Sequence, residues 1–190
     1  MLRLSDNPPI LHAGSGVTIE ESRLCDLSGR WWVAHTKSRC EKAFAWEMVE
    51  HGIGYFLPLI ERVRMSGGRK RHVLWPLFPG YVFLCGEDAD RLTAMRTNRL
   101  CQTIDVPDQA ALVDQMTGIE TALLTDMQLD PYPHLAVGRR CRINSGPFEG
   151  QTGIVLDRGR LPRIVLEISV LGVGAAMEID ADLLEEVSGF

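Results

Sequence analysis

Hydrophobic and polar positions change period several times along this chain, and the changes divide it. Residues 1–28 hold no sustained period, and Asn7-Pro8-Pro9 and Gly14-Ser15-Gly16 break what there is. That stretch is expected to be a mostly flexible extension, with one short strand at 16–20. Residues 31–36 alternate as a strand, with Trp31 and Val33 on one face and Trp32 and Ala34 on the other. Ser38 and Glu41 have capping-box spacing, and Ala43, Phe44, Met48 and Val49 follow at helical intervals up to His51. Gly52 is placed to stop that helix. Residues 53–65 return to alternation through Tyr55, Leu57 and Leu59. The turn Ser66-Gly67-Gly68-Arg69-Lys70 sends the chain back through 72–75, which predicts a hairpin.

The run Pro76-Leu77-Phe78-Pro79-Gly80-Tyr81-Val82-Phe83-Leu84 is broken once, at Pro79-Gly80. Pro79 fixes φ and Gly80 tolerates positive φ, so a sharp bend is expected before a strand. Past the bend Tyr81 and Phe83 share one face, and Val82 and Leu84 the other. Asp88 can then cap a short helix carrying Leu92 and Met95, residues 100–106 read as a strand, and Pro107-Asp108 opens a helix with Leu112, Val113, Met116 and Ile119. This order predicts an α+β fold, an antiparallel sheet flanked by helices.

The texture changes near the C-terminus. Residues 125–135 lose their period and contain Pro131 and Pro133. Beyond 137, short strands at 139–143, 153–157, 163–169 and 175–179 alternate with glycine turns, the pattern of a small closed β-barrel. Asp180 can cap a last short turn with Leu183 and Leu184. The expected division is an extension at 1–28, a first domain at 29–123, a linker at 124–136 and a barrel at 137–188.

Composition narrows the function classes. The net charge is −5, unsuited to coating nucleic acid, but the distribution is uneven. Residues 30–107 carry 12 Lys/Arg against 8 Asp/Glu, whereas residues 164–190 carry six acids and no base. Five cysteines without a C-x-x-C pair argue against a disulfide framework and a zinc site. No apolar run approaches a membrane span and no signal-peptide pattern opens the chain, so a cytoplasmic location and no membrane partner are expected. No phosphate-binding loop, nucleophile elbow or paired carboxylate set is present, so catalytic residues, cofactors and metals are not expected.

Two motifs carry a family resemblance. The Phe78-Pro79-Gly80-Tyr81-Val82 stretch resembles the signature of NusG-type transcription elongation factors. The stretch Val137-Gly138-Arg139-Arg140-Cys141-Arg142-Ile143-Asn144-Ser145-Gly146-Pro147-Phe148-Glu149-Gly150-Gln151-Thr152-Gly153 resembles a KOW motif. Gly146-Pro147 would turn it, Gly150 would take a loop conformation closed to other residues, and Gly153 would let the next strand pass close by. The resemblance, to the NusG and RfaH type of elongation and antitermination factor, implies an RNP-like N-terminal (NGN) domain followed by an SH3-like KOW barrel. The PLFP form and the leader resemble a specialised paralogue.

It further implies a monomer that binds the clamp helices of RNA polymerase and lies against the DNA of the elongation complex. Matched to the family pattern, Trp31, Phe78, Pro79, Tyr81 and Phe83 would bind polymerase. Lys37, Arg39, Arg69, Lys70 and Arg71 would lie near DNA. Phe148 and Leu171 would bind a KOW partner, Rho or a small-subunit ribosomal protein. Plainer readings stand beside these: rings packed in a core, a solvated hairpin tip, and a KOW-type RNA-binding or ribosome-associated protein. The acidic C-terminal half counts against the last.

Overall fold

The computed structural model describes residues 7–14, 22–66, 68–132, 138–156 and 163–187. The chain divides into two compact units, Met1–Gln109 and Ala110–Phe190.

The first unit holds a five-stranded antiparallel sheet in the order β1-β3-β6-β2-β7. Its strands are β1 (Leu11–His12), β2 (Arg30–Thr36), β3 (Gly54–Phe56), β6 (Tyr81–Gly86) and β7 (Leu100–Asp105). A separate two-stranded ribbon joins β4 (Leu59–Ser66) to β5 (Arg69–Pro76) in unbroken register. Two helices belong to this unit, α1 (Glu41–His51) and α2 (Asp88–Arg96).

Strand parity sorts the residues as the alternation predicts. Trp32, Ala34, Tyr55, Val82 and Leu84 form one core with Phe44, Ala45 and Met48 of α1 and Ala94 of α2. The opposite face carries Trp31 and Val33, paired with Cys85 and Phe83, with Phe56 beside Phe83. These side chains are buried too. Burial pushes the Cys85 thiol up to about 12, with help from the Asp90 carboxylate.

Several expectations are corrected. Residues 9–12 are tied to the sheet and are not a flexible appendage: β1 adds to the outer edge of β3, Leu57 N–H donates to Ile10 O at 2.7 Å, and the Tyr55 hydroxyl donates to Pro9 O at 2.9 Å. An open strand edge needs such partners, and the leader supplies them. Leu24, in a 3-10 turn (Leu24–Asp26), is buried, and Leu27 lies so close over Gly54 that a Cβ there would come within 2.6 Å of it. The strand expected at 16–20 lies outside the described residues.

Ser38 does not cap α1. Arg39 takes a left-handed φ of 61° and Cys40 N–H donates to Lys37 O, so a tight turn intervenes and the helix starts at Glu41. Gly52 ends α1 at φ 64°, as its position suggested. Glu87, not Asp88, caps α2, with its own N–H donating to Asp90 Oδ2 at 2.8 Å. Leu92 and Met95 face solvent; Ala94 is the helix's buried residue.

The second unit holds α3 (Gln109–Leu124), from Ala110 on, and a six-stranded antiparallel sheet. The sheet comprises β8 (Asp130–Tyr132), β9 (Arg139–Ile143), β10 (Thr152–Leu156), β11 (Arg163–Ile168), β12 (Val173–Glu178) and β13 (Leu184–Glu186), in the order β13-β9-β10-β11-β12-β8. The expected linker at 124–136 therefore contains an edge strand paired to β12. Pro131 sits within it, where a missing N–H is tolerated. The boundary also moves, because α3 groups with this sheet. Gly118 leaves so little room that a Cβ would meet Gln151 and Leu166, and the Gln115 side-chain amide both donates to Ser169 Oγ and accepts from Ser169 N–H. Gly153 admits β11 closely, since a Cβ there would lie 2.6 Å from Val165 O.

Candidate functional site

The Pro79-Gly80 bend is a built corner. Gly80 takes φ 88°, and its backbone is held from both sides: Thr36 N–H donates to Gly80 O at 2.8 Å, and Gly80 N–H donates to Glu41 Oε1 at 2.7 Å. Tyr81 N–H donates to Phe78 O at 3.1 Å, closing the turn. Glu41 is a nearly buried carboxylate at the first turn of α1. A carboxylate there is favoured by the helix dipole and here grips a loop amide as well.

The rings expected to bind a partner divide into two groups. Trp31 and Phe78 are each 4% exposed and Phe83 is 0% exposed, so they are not presented to solvent. Phe83 packs edge-on to Phe78 and stacks beside Phe56. Trp31 is fixed further by Gln109, whose Oε1 accepts from Trp31 N–H at 2.7 Å and whose Nε2 donates to Trp31 O at 3.0 Å. Tyr81 is half-buried and Pro79 exposed. Across the β2–β6 ladder, His35 stacks on Tyr81 with centroids 5.1 Å apart. The accessible corner thus consists of Pro79, Gly80, Tyr81 and His35, with Phe78 and Phe83 behind it.

The basic residues also divide. Lys37 and Arg39 occupy the turn between Thr36 and Glu41, both of which bond Gly80, so they stand beside the corner. Lys37 Nζ donates to Asn98 Oδ1 at 2.7 Å. Arg69, Lys70 and Arg71 are exposed near the tip of the β4–β5 ribbon.

In the second unit, Phe148 is buried at 6% exposure and lines a hollow of about 280 Å³ together with Met127, Ile143, Met177 and Leu183. Gly146 and Gly150 both take φ 85° in the turn that carries Phe148, as the glycine spacing suggested. Leu171 is half-exposed at the end of a 3-10 turn (Ser169–Leu171) closed by Gly172 at φ 63°, and it does not line the hollow. The two expected partner residues therefore lie in different settings. Among the described residues no cluster of His, Cys, Asp and Glu could hold a metal, and no helix is long and apolar enough to cross a membrane.

The family model described as "Transcription termination factor nusG" matches residues 29–122, a stretch that contains the corner, the ribbon and both helices of the first unit. Through that stretch the chain belongs to the NusG family. This NusG-family chain is accordingly a transcription factor of the elongation class. Among solved structures, one similar chain comes from "Crystal Structure of MjSpt4:Spt5 complex conformation B", at 17% identity over 84% of this chain and 97% of that one, with a TM-score of 0.25. So loose a likeness carries no argument. Among curated proteins, none matches.

Sequence reasoning missed two residues of the NusG-type corner. Glu41 was read as a capping residue, although a carboxylate at a helix start is equally an acceptor for whatever amide approaches. His35 sits at the same strand parity as Trp31 and Val33, which signalled its face but not its partner. Tyr81 as that partner needed the ladder register.

Proposed function

We propose that this chain binds RNA polymerase through the corner at Pro79-Gly80 and stabilises the elongating form of the enzyme. In this reading Tyr81 and Pro79 make the contact, His35 holds the Tyr81 ring in plane, and Trp31, Phe78 and Phe83 form the support behind it. The observation that carries the reading is the corner itself: the family's signature residues form a bend whose amide and carbonyl are both bonded, so Tyr81 is presented without loop freedom to lose on binding. Its partner would be the clamp helices of the polymerase. By bridging the cleft over the DNA, the protein favours the closed clamp, and pausing and termination both decrease. Lys37 and Arg39 beside the corner, and Arg69, Lys70 and Arg71 on the ribbon, would face the DNA of the elongation complex. Their action is electrostatic and not catalytic.

The second unit is proposed to be an SH3-like KOW module that recruits another factor, Rho or a small-subunit ribosomal protein. Leu171 would be the exposed apolar contact, and Phe148 would shape a separate hollow in the same unit. A tether to polymerase raises the local concentration of whatever this module binds.

The test is a pull-down of RNA polymerase with Tyr81→Ala. An anchoring aromatic at an interface contributes about 2 kcal/mol or more, so binding should fall roughly 30-fold while the circular dichroism spectrum is unchanged. Read-through at a terminator with purified polymerase should fall in parallel. Wild-type capture by Tyr81→Ala would overturn the corner as the docking site.

A further inference from the structure

The hollow in the second unit joins an apolar lining to an acidic mouth. Phe148, Ile143, Met177 and Ile179 line it from buried positions, and Met127 and Leu183 are half-buried beside them. Backbone hydrogen bonds hold the segments that carry these side chains. Gly150 N–H donates to Ile143 O at 2.8 Å and Gln151 N–H to Phe148 O at 3.0 Å, which fixes the Phe148 turn. Asn144 N–H donates to Leu183 O at 3.0 Å, and Met127 N–H to Ala122 O at 2.9 Å. A hollow built on bonded segments loses little freedom when it is filled. At about 280 Å³ it falls just short of small-molecule pockets, which run from about 300 to 1,000 Å³. It has room for one large side chain.

The mouth carries charge of one sign. Glu178 and Asp180 both line the hollow and are exposed, and among the described residues no Lys or Arg lines it. Glu178 stands opposite Arg163 in the β11–β12 ladder, but the Arg163 guanidinium donates to Asp130 Oδ2 at 2.7 Å. Among the described residues neither Glu178 nor Asp180 has an ion-pair partner. The surrounding sequence supplies no cation either, since residues 164–190 hold six acids and no base. An apolar side chain with a cation next to it would satisfy both parts of the site: the chain loses apolar surface to the hollow, and the cation meets two carboxylates at its rim.

We propose that this hollow docks a segment of a partner protein, with one leucine- or phenylalanine-sized side chain against Phe148 and an adjoining lysine or arginine at Glu178 and Asp180. The inference rests on the recruitment reading above and adds to it a second contact of stated chemistry, apart from Leu171.

The test uses the full chain, isotope-labelled at its methionine methyls and backbone amides, and follows peptide titrations by NMR. The probes are the capped peptides Gly-Lys-Leu-Lys-Gly, Gly-Glu-Leu-Glu-Gly and Gly-Lys-Ala-Lys-Gly. The first should shift the Met127 and Met177 methyl signals saturably. Exchange of its lysines for glutamates should weaken binding at least about fivefold, and exchange of its leucine for alanine about tenfold. The double variant Glu178→Gln/Asp180→Asn should lose the preference for lysine over glutamate, and added salt should reduce that preference in wild type. Thr125→Trp, which sets an indole at the mouth, should block the first peptide, and the amide spectra should show every variant folded. Equal binding of the leucine and alanine peptides, or a lysine preference that survives in the carboxylate variant, would overturn the proposed occupant. Shifts confined to Leu171 and Gly172 would overturn the hollow and leave the exposed contact of the recruitment reading standing. No methyl shift with any peptide would also overturn the hollow. The recruitment reading is tested apart from it, by capture of Rho or the small-subunit ribosomal protein on Leu171→Asp, where undiminished capture would remove Leu171 from that role.

Discussion

At the scale of single residues, the decisive group is Glu41. Its Oε1 accepts the Gly80 amide at 2.7 Å from a nearly buried position, so removing it leaves a part-buried N–H without that acceptor and loosens the bend that carries Tyr81. A hydrogen bond to a charged acceptor is worth about 1.5–3 kcal/mol, and Glu41→Ala should destabilise the protein by about that amount in urea denaturation. Glu41→Gln keeps a carbonyl oxygen at the same place and should lose less than half as much. Equal losses would mean that the methylenes of Glu41, and not its oxygen, hold the corner. None of this was legible from spacing. Ser38 and Glu41 stand at capping-box distance, and that local pattern lost to a turn with Arg39 in the left-handed region. The faces of Trp31, Trp32, Tyr81 and Phe83, in contrast, were legible because strand parity has a period of two regardless of tertiary context. Their burial was not legible, since parity says which side a ring takes and not what covers it.

At the scale of elements, β1 shows how a polar leader becomes structural. His12 is buried against the Tyr55 ring, and among the described residues neither of its ring nitrogens has a partner. Burial lowers its pKa from the ordinary 6.5. Burial raises that of Tyr55, which stays neutral over the same range. The sign follows: below pH 6.5 the unfolded chain binds a proton at His12 that the folded chain resists, so stability is fully present above that pH and is lost as pH falls toward the depressed folded value. Thermal melts from pH 7.5 down to 5.5 should therefore show wild type losing stability more steeply than His12→Phe, and amide exchange should quicken first at Leu57, which bonds the leader backbone. Parallel pH profiles would show that His12 is not the titrating group. The strand could not be read from its two residues, Leu11 and His12, because so short a segment has no period; the open edge of β3 made it. The ribbon was readable as a hairpin from Ser66-Gly67-Gly68-Arg69-Lys70, but its two faces appeared only once the register joined Arg64 to Arg71.

At the scale of the whole molecule, the amino-acid pattern changes texture near residue 137, whereas the division into two compact units falls earlier, between Gln109 and Ala110. The apolar stripe of α3 identified a helix without identifying its host. Leu112, Met116, Ile119 and Ala122 would suit any sheet, and the contacts that assign the helix come from residues with little sequence signal: Gly118 close to Leu166, and Gln115 clamping Ser169 from both its amide atoms. The NusG family match runs to residue 122 and so includes all but the last two residues of α3. Family extent and compactness thus draw different borders, and a fragment comparison separates them. A fragment of residues 110–190 retains α3 with the six-stranded sheet; a fragment of residues 125–190 lacks it. Returning even one buried Leu, Ile or Met to water costs about 1.5–3 kcal/mol. Loss of the helix also uncovers Leu166 and releases the Ser169–Leu171 turn. The longer fragment should therefore be more stable in urea by at least about 2 kcal/mol, and Gln115→Ala within it should speed amide exchange at Ser169 and leave Ile154 in β10 protected. Fragments of equal stability would return α3 to the first unit and restore the border that the amino-acid pattern suggested.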